Sequence, residues 1–98
     1  MAELLATSGE YPLETVTITV DDPDLDLDTA RNLAKIKARD MDSNAMMLSY
    51  HSRKTGEFWP NYDCGGGRPS WIVFAESRGY NLKIDINNGD YEFFYLRF

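Results

Sequence analysis

The sequence predicts an α+β domain in which one α-helix packs on a mainly antiparallel β-sheet, in the order β-α-β-β-β-β-β. Three observations support this class. Residues 14–20 alternate between polar and branched apolar side chains, residues 27–41 repeat apolar residues at helical spacing, and residues 81–98 hold an Asn-Gly turn between two apolar runs. We expect residues 11–98 to form this single domain, with residues 1–10 as a flexible N-terminal arm.

The helix is predicted from its start signal and from its apolar stripe. The acidic segment DDPDLDLD suits the positive end of a helix, and Asp26 or Asp28 is expected to cap a helix over residues 27–41. The stripe is mostly alanine, so this helix is expected to lie close to the sheet that it covers. Its members are Leu27, Ala30, Leu33, Ala34, Ala38 and Met41.

Apolar runs predict the later strands. AMMLSYHSR and EFW are expected to pair through a three-residue turn, KTG, in a register that places His51 opposite Trp59. WIVFAE is apolar on both faces, which is typical of a central strand. In the last hairpin, the turn at Asn88 and Gly89 places Ile86 opposite Tyr91, so the apolar residues of both strands share a face.

The last strand, YEFFYLRF, carries large apolar residues on both faces. Phe94, Leu96 and Phe98 point away from the single predicted helix. Because burial of such a side chain is worth about 1.5–3 kcal/mol, we expect the N-terminal arm, the glycine-rich loop or a second copy of the chain to cover them. These three residues are therefore the predicted interface of a homodimer or of a complex with another protein.

The charge balance excludes two classes of partner. The chain has 10 Lys and Arg residues against 16 Asp and Glu residues, a net charge of −6, and no run of basic residues. Nucleic acid and membrane surfaces are therefore not expected partners. The single cysteine excludes an internal disulfide and favours a reducing compartment. Since no signal peptide or membrane span is apparent, a cytoplasmic location is expected.

The glycine-rich segment NYDCGGGRPSW, residues 61–71, is the candidate ligand-binding segment. It lacks the lysine of a phosphate-binding Walker loop and leads into a predicted strand, so neither that loop nor a dinucleotide fingerprint is predicted. Backbone N–H groups of the glycines together with Arg68 suit a small anionic ligand, whereas the simpler interpretation is a flexible connection. The candidate ligand-binding residues are Trp59, Tyr62, Cys64, Gly65, Gly66, Gly67, Arg68 and Trp71.

No complete catalytic constellation is present, and Cys64 and His51 are the only candidates for catalysis. A thiolate needs a nearby histidine or cation, and a lone cysteine is more often a core filler. The aspartates at 24–28 lack the glycine and glutamate of a calcium loop, so neither a metal nor a cofactor is expected. The sequence names no biochemical activity. It favours a small non-catalytic protein- or ligand-binding module; the alternative is an anion site or thiol chemistry at residues 61–71.

Overall fold

The structure, a computed structural model, describes residues 12–61 and 67–97 and confirms the predicted α+β class. The predicted N-terminal arm and Phe98 lie outside these residues. Neither helix in the described ranges is long and apolar enough to cross a bilayer. The elements, in chain order, are β1 (Glu14–Ile18), α1 (Leu27–Met41), β2 (Met46–His51), β3 (Phe58–Trp59), α2 (Ser70–Ser77), β4 (Leu82–Ile86) and β5 (Tyr91–Leu96).

The strands form one mainly antiparallel sheet in the order β1-β4-β5-β2-β3. Strand β1 runs parallel to β4, and the other three neighbouring pairs are antiparallel. The hairpin of β4 and β5 therefore lies inside the sheet, with β1 and β3 at its two edges. This position explains why apolar side chains of both hairpin strands are fully buried, among them Leu82, Ile84, Ile86, Tyr91 and Phe93.

Helix α1 spans the predicted residues and has the predicted cap. The carboxylate of Asp26 accepts a hydrogen bond of 2.8 Å from the backbone N–H of Thr29, and this bond lowers the pKa of Asp26. Ala30, Ala34 and Ala38 are each 0% exposed and pack against the β4–β5 hairpin. Because alanine has almost no side chain, the helix lies close to the sheet.

The β4–β5 hairpin has the predicted register, with Ile86 opposite Tyr91. Asn88 and Gly89, the two central residues of the turn, have positive φ angles, as the favoured two-residue hairpin turn requires. Asn87, which precedes them, also has a positive φ angle. The amide side chain of Asn87 also accepts from the backbone N–H of Val20 at 2.8 Å and donates to its carbonyl at 3.1 Å. These two hydrogen bonds attach the segment that follows β1 to the turn of the β4–β5 hairpin.

Residues 71–76, predicted as a central strand, belong instead to helix α2. A short run that is apolar on all sides fits a buried helix as well as a buried strand. Helical signals flank the run, since Pro69 precedes it and Gly79, at a φ of 75°, follows it. The N–H of Gly79 donates to the Glu76 carbonyl and that of Tyr80 to the Ala75 carbonyl, both at 3.1 Å, which completes a glycine-based helix end.

The predicted register of β2 and β3 was wrong by one residue: His51 lies opposite Phe58, and Trp59 lies opposite Tyr50. The backbone N–H of Ser52 donates to the Glu57 carbonyl at 2.8 Å, so the loop has four residues rather than three. The Ser52 hydroxyl accepts from Thr55 N–H at 3.0 Å and stabilises this longer loop. The shift brings His51 and Phe58 to the same face of the sheet.

The cover of Phe94 comes from the same chain. Phe94 is 1% exposed, and the ring of Tyr80 meets it edge-on at 5.1 Å between ring centres. The ammonium of Lys83 lies 5.8 Å from the centre of the same ring. Phe94 was predicted to lie in an interface because the single predicted helix could not cover it. The structure shows that residues of the same chain cover this side chain, so its burial does not require a second copy. Leu96 is half-buried, and self-association remains a prediction.

Ala34→Leu is expected to lower the free energy of unfolding by about 1–3 kcal/mol, because the added side chain pushes α1 away from the hairpin. Asn32→Leu, at an exposed position of the same helix, is the control and is expected to change it little. Urea unfolding of both variants measures the difference. Equal stability of Ala34→Leu and the wild type would contradict the close packing of this helix.

Candidate functional site

The two helices lie on opposite faces of the sheet and cover different strands. Helix α1 packs on β4 and β5, whereas α2 packs on β2 and β3. Each face is therefore covered over part of its width, and grooves remain beside the helices. Polar side chains that border these grooves are the candidates for function.

The structure distributes the predicted glycine-loop residues among different surroundings. Arg68 forms an ion pair of 2.8 Å with Glu76 of α2. Trp59 is 48% exposed and contacts Phe74 of α2, with 5.7 Å between ring centres. Gly67 has a φ of 72° and an exposed position. Four of the predicted residues lie outside the described ranges: Tyr62, Cys64, Gly65 and Gly66.

Two of the predicted residues, His51 and Trp71, do come together. Their rings stack in parallel with 4.1 Å between centres, and Phe58 packs on Trp71 at 4.9 Å. The Nδ1 atom of His51 lies 3.3 Å from Oε1 of Glu92, whose other oxygen is 3.0 Å from Nζ of Lys83. The ring of His51 is thereby held in one orientation. A dyad of His51 with Cys64 stays a prediction, because Cys64 is not among the described residues.

The His51 cluster also anchors α2. The hydroxyl of Ser49 donates a hydrogen bond of 2.9 Å to the carbonyl of Trp71, directly beneath the stacked rings. Within residues 12–61 and 67–97, no three histidine, cysteine or acidic residues are grouped to hold a metal ion. The His51–Trp71 stack and the Ser49 hydrogen bond join α2 to the sheet. The contacts of Glu92 with His51 and Lys83 instead link neighbouring strands.

Three basic side chains border a different groove, between α1 and the start of β2. Arg31, Lys35 and Arg39 follow one another at intervals of four residues, so they lie on the same side of the helix. The groove has a volume of about 520 Å³. We call it the basic groove, and its other lining residues are Ser43, Asn44, Ala45, Met46, Met47 and Tyr95.

Tyr95 brings a phenol side chain to the lining of this groove. The residue is 3% exposed, and burial raises its pKa to about 12, while the positive charges of Arg39 and Arg31 act in the opposite direction. The hydroxyl is therefore protonated at neutral pH. It makes no hydrogen bond to any residue of the described chain. A proton donor thus lies among cations.

The three cations differ in their surroundings. Arg31 lies 3.3 Å from the carboxylate of Asp28 and 5.5 Å from the centre of the Tyr50 ring, which hold its guanidinium in place. Lys35 and Arg39 are exposed, and neither pairs with an acidic residue of the described chain. The groove is therefore electropositive although the chain as a whole carries a net charge of −6.

The model of a domain family described as a domain of unknown function, DUF5619, matches residues 13–95. The chain belongs to this family. The matched range contains every lining residue of the basic groove, so the groove lies within the DUF5619 domain itself.

Two matches to this DUF5619 domain come from Archaeoglobus fulgidus. One, described as an uncharacterized protein, is 42% identical over 50 residues, which make up 51% of this chain and 54% of the relative. The other is a crystal structure that matches at a TM-score of 0.75 and 31% identity, over 88% of this chain and 95% of that one. The first match spans about half the length of its relative. These similarities support the fold, and the function must be inferred from the site.

The basic groove of this DUF5619 domain was not predicted from the sequence, because its three cations are not adjacent in the chain. The signal was present in the four-residue spacing of Arg31, Lys35 and Arg39 along a correctly predicted helix. Its relation to Tyr95, however, required the packing of α1 beside β5.

The pKa of Tyr95 predicts a loss of stability in alkaline solution. Its value of about 12 exceeds the ordinary value of 10.0, so between these pH values the folded state holds a proton that the unfolded chain releases. The free energy of unfolding therefore falls as the pH rises through this range. Tyr95→Phe is expected to lose less stability, although Tyr91, whose pKa burial also raises, keeps part of the effect. Urea unfolding measures the free energy of unfolding of both proteins from pH 9 to pH 12. An equal decrease of this free energy in the wild type and in Tyr95→Phe would contradict the prediction.

Proposed function

We propose that this domain is a non-catalytic module that binds an anionic ligand in the basic groove. The observation that carries the proposal is that Arg31, Lys35 and Arg39 line one groove together with Tyr95. Guanidinium and ammonium groups form charge-assisted hydrogen bonds with carboxylate or phosphate, and the hydroxyl adds a neutral donor. The ligand class is therefore a carboxylate or a phosphate.

The apolar part of the groove strengthens this proposal. Met47 and Tyr95 line the groove together with the cations, and both contribute to or pack on the hydrophobic core. An apolar wall lowers the local dielectric constant, so a charge pair formed there is stronger than the same pair on an open surface. A ligand with an anionic group and a short apolar part would use both kinds of lining.

The same geometry favours the basic groove over the glycine-rich loop as the anion site. At the loop, the guanidinium of Arg68 already lies 2.8 Å from the carboxylate of Glu76. An anion would have to compete with that carboxylate. Lys35 and Arg39 present no such competitor among the described residues, which supports placing the predicted small anionic ligand beside α1.

Citrate and pyrophosphate are the probes for this proposal. Arg39→Gln and Lys35→Gln are each expected to weaken their binding about tenfold, since a hydrogen bond to a charged group is worth roughly 1.5–3 kcal/mol. Lys37→Gln removes the same charge from the same helix outside the basic groove and is the matched control. Affinities are measured by titration calorimetry, and amide shifts in two-dimensional NMR spectra locate the site.

Binding of either probe should also weaken as salt is added, because ions screen the charge pairs. The proposal would be abandoned if neither probe shifted the amides of residues 43–47, or if Lys37→Gln weakened binding as much as Arg39→Gln did.

A further inference from the structure

The first half of strand β2 has one edge without a partner strand in the described part of the chain. Strand β3 is only two residues long and pairs with Tyr50 and His51 alone. Beside Met46–Leu48, on that side, no described strand continues the sheet. Pro60 follows β3 directly and has no N–H with which to extend the pairing. Open strand edges offer backbone donors and acceptors to other extended chains.

An apolar slot runs beside this edge. It has a volume of about 210 Å³ and is lined by residues Met46–Leu48 of β2, by Trp59 at the end of β3, by Phe74 of α2 and by Arg78, which directly follows that helix. The guanidinium of Arg78 lies 4.9 Å from the centre of the Phe74 ring. Met46 and Trp59, which both belong to this lining, are each 48% exposed. We call this space the apolar slot.

The basic groove reaches the same segment from the other side. Met46 and Met47 line both the basic groove and the apolar slot. Successive side chains of an extended strand point to opposite faces. A strand added at this edge would therefore direct one set of side chains toward Arg31, Lys35 and Arg39 and the other set toward Trp59 and Phe74.

We propose that the edge of β2 at Met46–Leu48 binds an extended peptide in which acidic and apolar residues alternate. The acidic side chains enter the basic groove and the apolar side chains enter the apolar slot, while backbone hydrogen bonds to β2 supply affinity. This inference rests on the proposed function, because the peptide carboxylates are the anionic ligand. It adds the partner class, a peptide strand, and the element that receives it.

Charge selects the acidic peptide over other extended chains. The net charge of −6 repels acidic chains from most of the surface and attracts basic ones. At this edge, however, Arg31, Lys35 and Arg39 reverse the local sign. A basic peptide would meet like charges in the groove, and an uncharged one would leave the cations unpaired, so an alternating acidic peptide fits best.

The test compares two peptides of identical composition and charge, Ac-Glu-Val-Glu-Val-Glu-Val-NH2 and Ac-Glu-Glu-Glu-Val-Val-Val-NH2, by calorimetry and NMR on the full chain. The alternating peptide is expected to bind at least about tenfold more tightly, because only its side chains separate onto two faces. Its binding should shift the amides of Met46–Leu48 and should weaken about tenfold in Arg39→Gln but not in Lys37→Gln.

Backbone methylation tests strand addition directly. An added strand bonds to β2 through every second residue. The alternating peptide is therefore made in two further forms, with N-methyl groups on all its valines or on all its glutamates. One form, and only one, is expected to lose binding by about tenfold or more. Equal binding of both forms would overturn strand addition.

A substitution in the lining of the apolar slot tests its contribution to peptide binding. Trp59→Ala is expected to weaken the alternating peptide severalfold while leaving citrate binding unchanged. If that variant does not fold, Phe74→Leu serves the same purpose, because Phe74 lines the apolar slot but not the basic groove. Citrate binding without a preference for the alternating peptide would overturn this inference and leave the proposed function standing. Failure of citrate, pyrophosphate and both peptides would overturn both. Concentration-dependent shifts at Met46–Leu48 without peptide would show a second copy of the chain there and would also overturn the peptide proposal.

Discussion

The close contact between α1 and the β4–β5 hairpin determines most of the structure. Ala30, Ala34 and Ala38 are fully buried, so the helix backbone lies near the two central strands and covers little beyond them. A helix with larger residues in this stripe would sit higher and spread its contacts more widely. The narrow contact leaves the start of β2 uncovered on this face, which creates the basic groove.

The same helical repeat aligns the cations. Arg31, Lys35 and Arg39 each follow one of the buried alanines by one position, so the period that buries the small residues also places three positive charges along one side of the helix. At 1.5 Å per residue they extend over roughly 12 Å of its length. Core packing and the electropositive groove are therefore two consequences of one pattern.

The opposite face of the sheet is organised by polar and aromatic contacts at α2. Glu92 lies directly opposite Asp85, so two negative charges face each other across the hairpin. Each of the two carboxylates has different hydrogen-bond or ion-pair partners. Glu92 contacts Lys83 and His51, while Asp85 accepts a hydrogen bond from the backbone N–H of Gly89. The His51–Trp71 stack then holds the start of α2 on the sheet. Because α2 covers this end of the sheet and β3 is short, the apolar slot remains beside the edge of β2.

The sequence by itself determined the features that depend on neighbouring residues. These are the α+β class, the span of α1 with Asp26 as one of its two candidate caps, and the register of the β4–β5 hairpin. Each rests on hydrogen bonds between residues a few positions apart, which residue type controls directly. The signals for α2 at Pro69 and Gly79 were of the same local kind, but an apolar run between them fits a buried strand equally well.

Only the tertiary structure decided what distant segments do together. The parallel pairing of β1 with β4 joins residues far apart in the chain, and no local preference specifies it. At the β2–β3 loop, the Ser52 hydroxyl accepts from the N–H of Thr55 but also donates to the carbonyl of Asp90 at 3.0 Å, a distant contact that the four-residue loop shares with the β4–β5 hairpin. The basic groove required α1, β2 and β5 to meet, since its cations are readable from the sequence but Tyr95 reaches them only through packing. The physical reason is that such contacts gain their free energy from burial and electrostatics between segments, and these depend on the assembled fold.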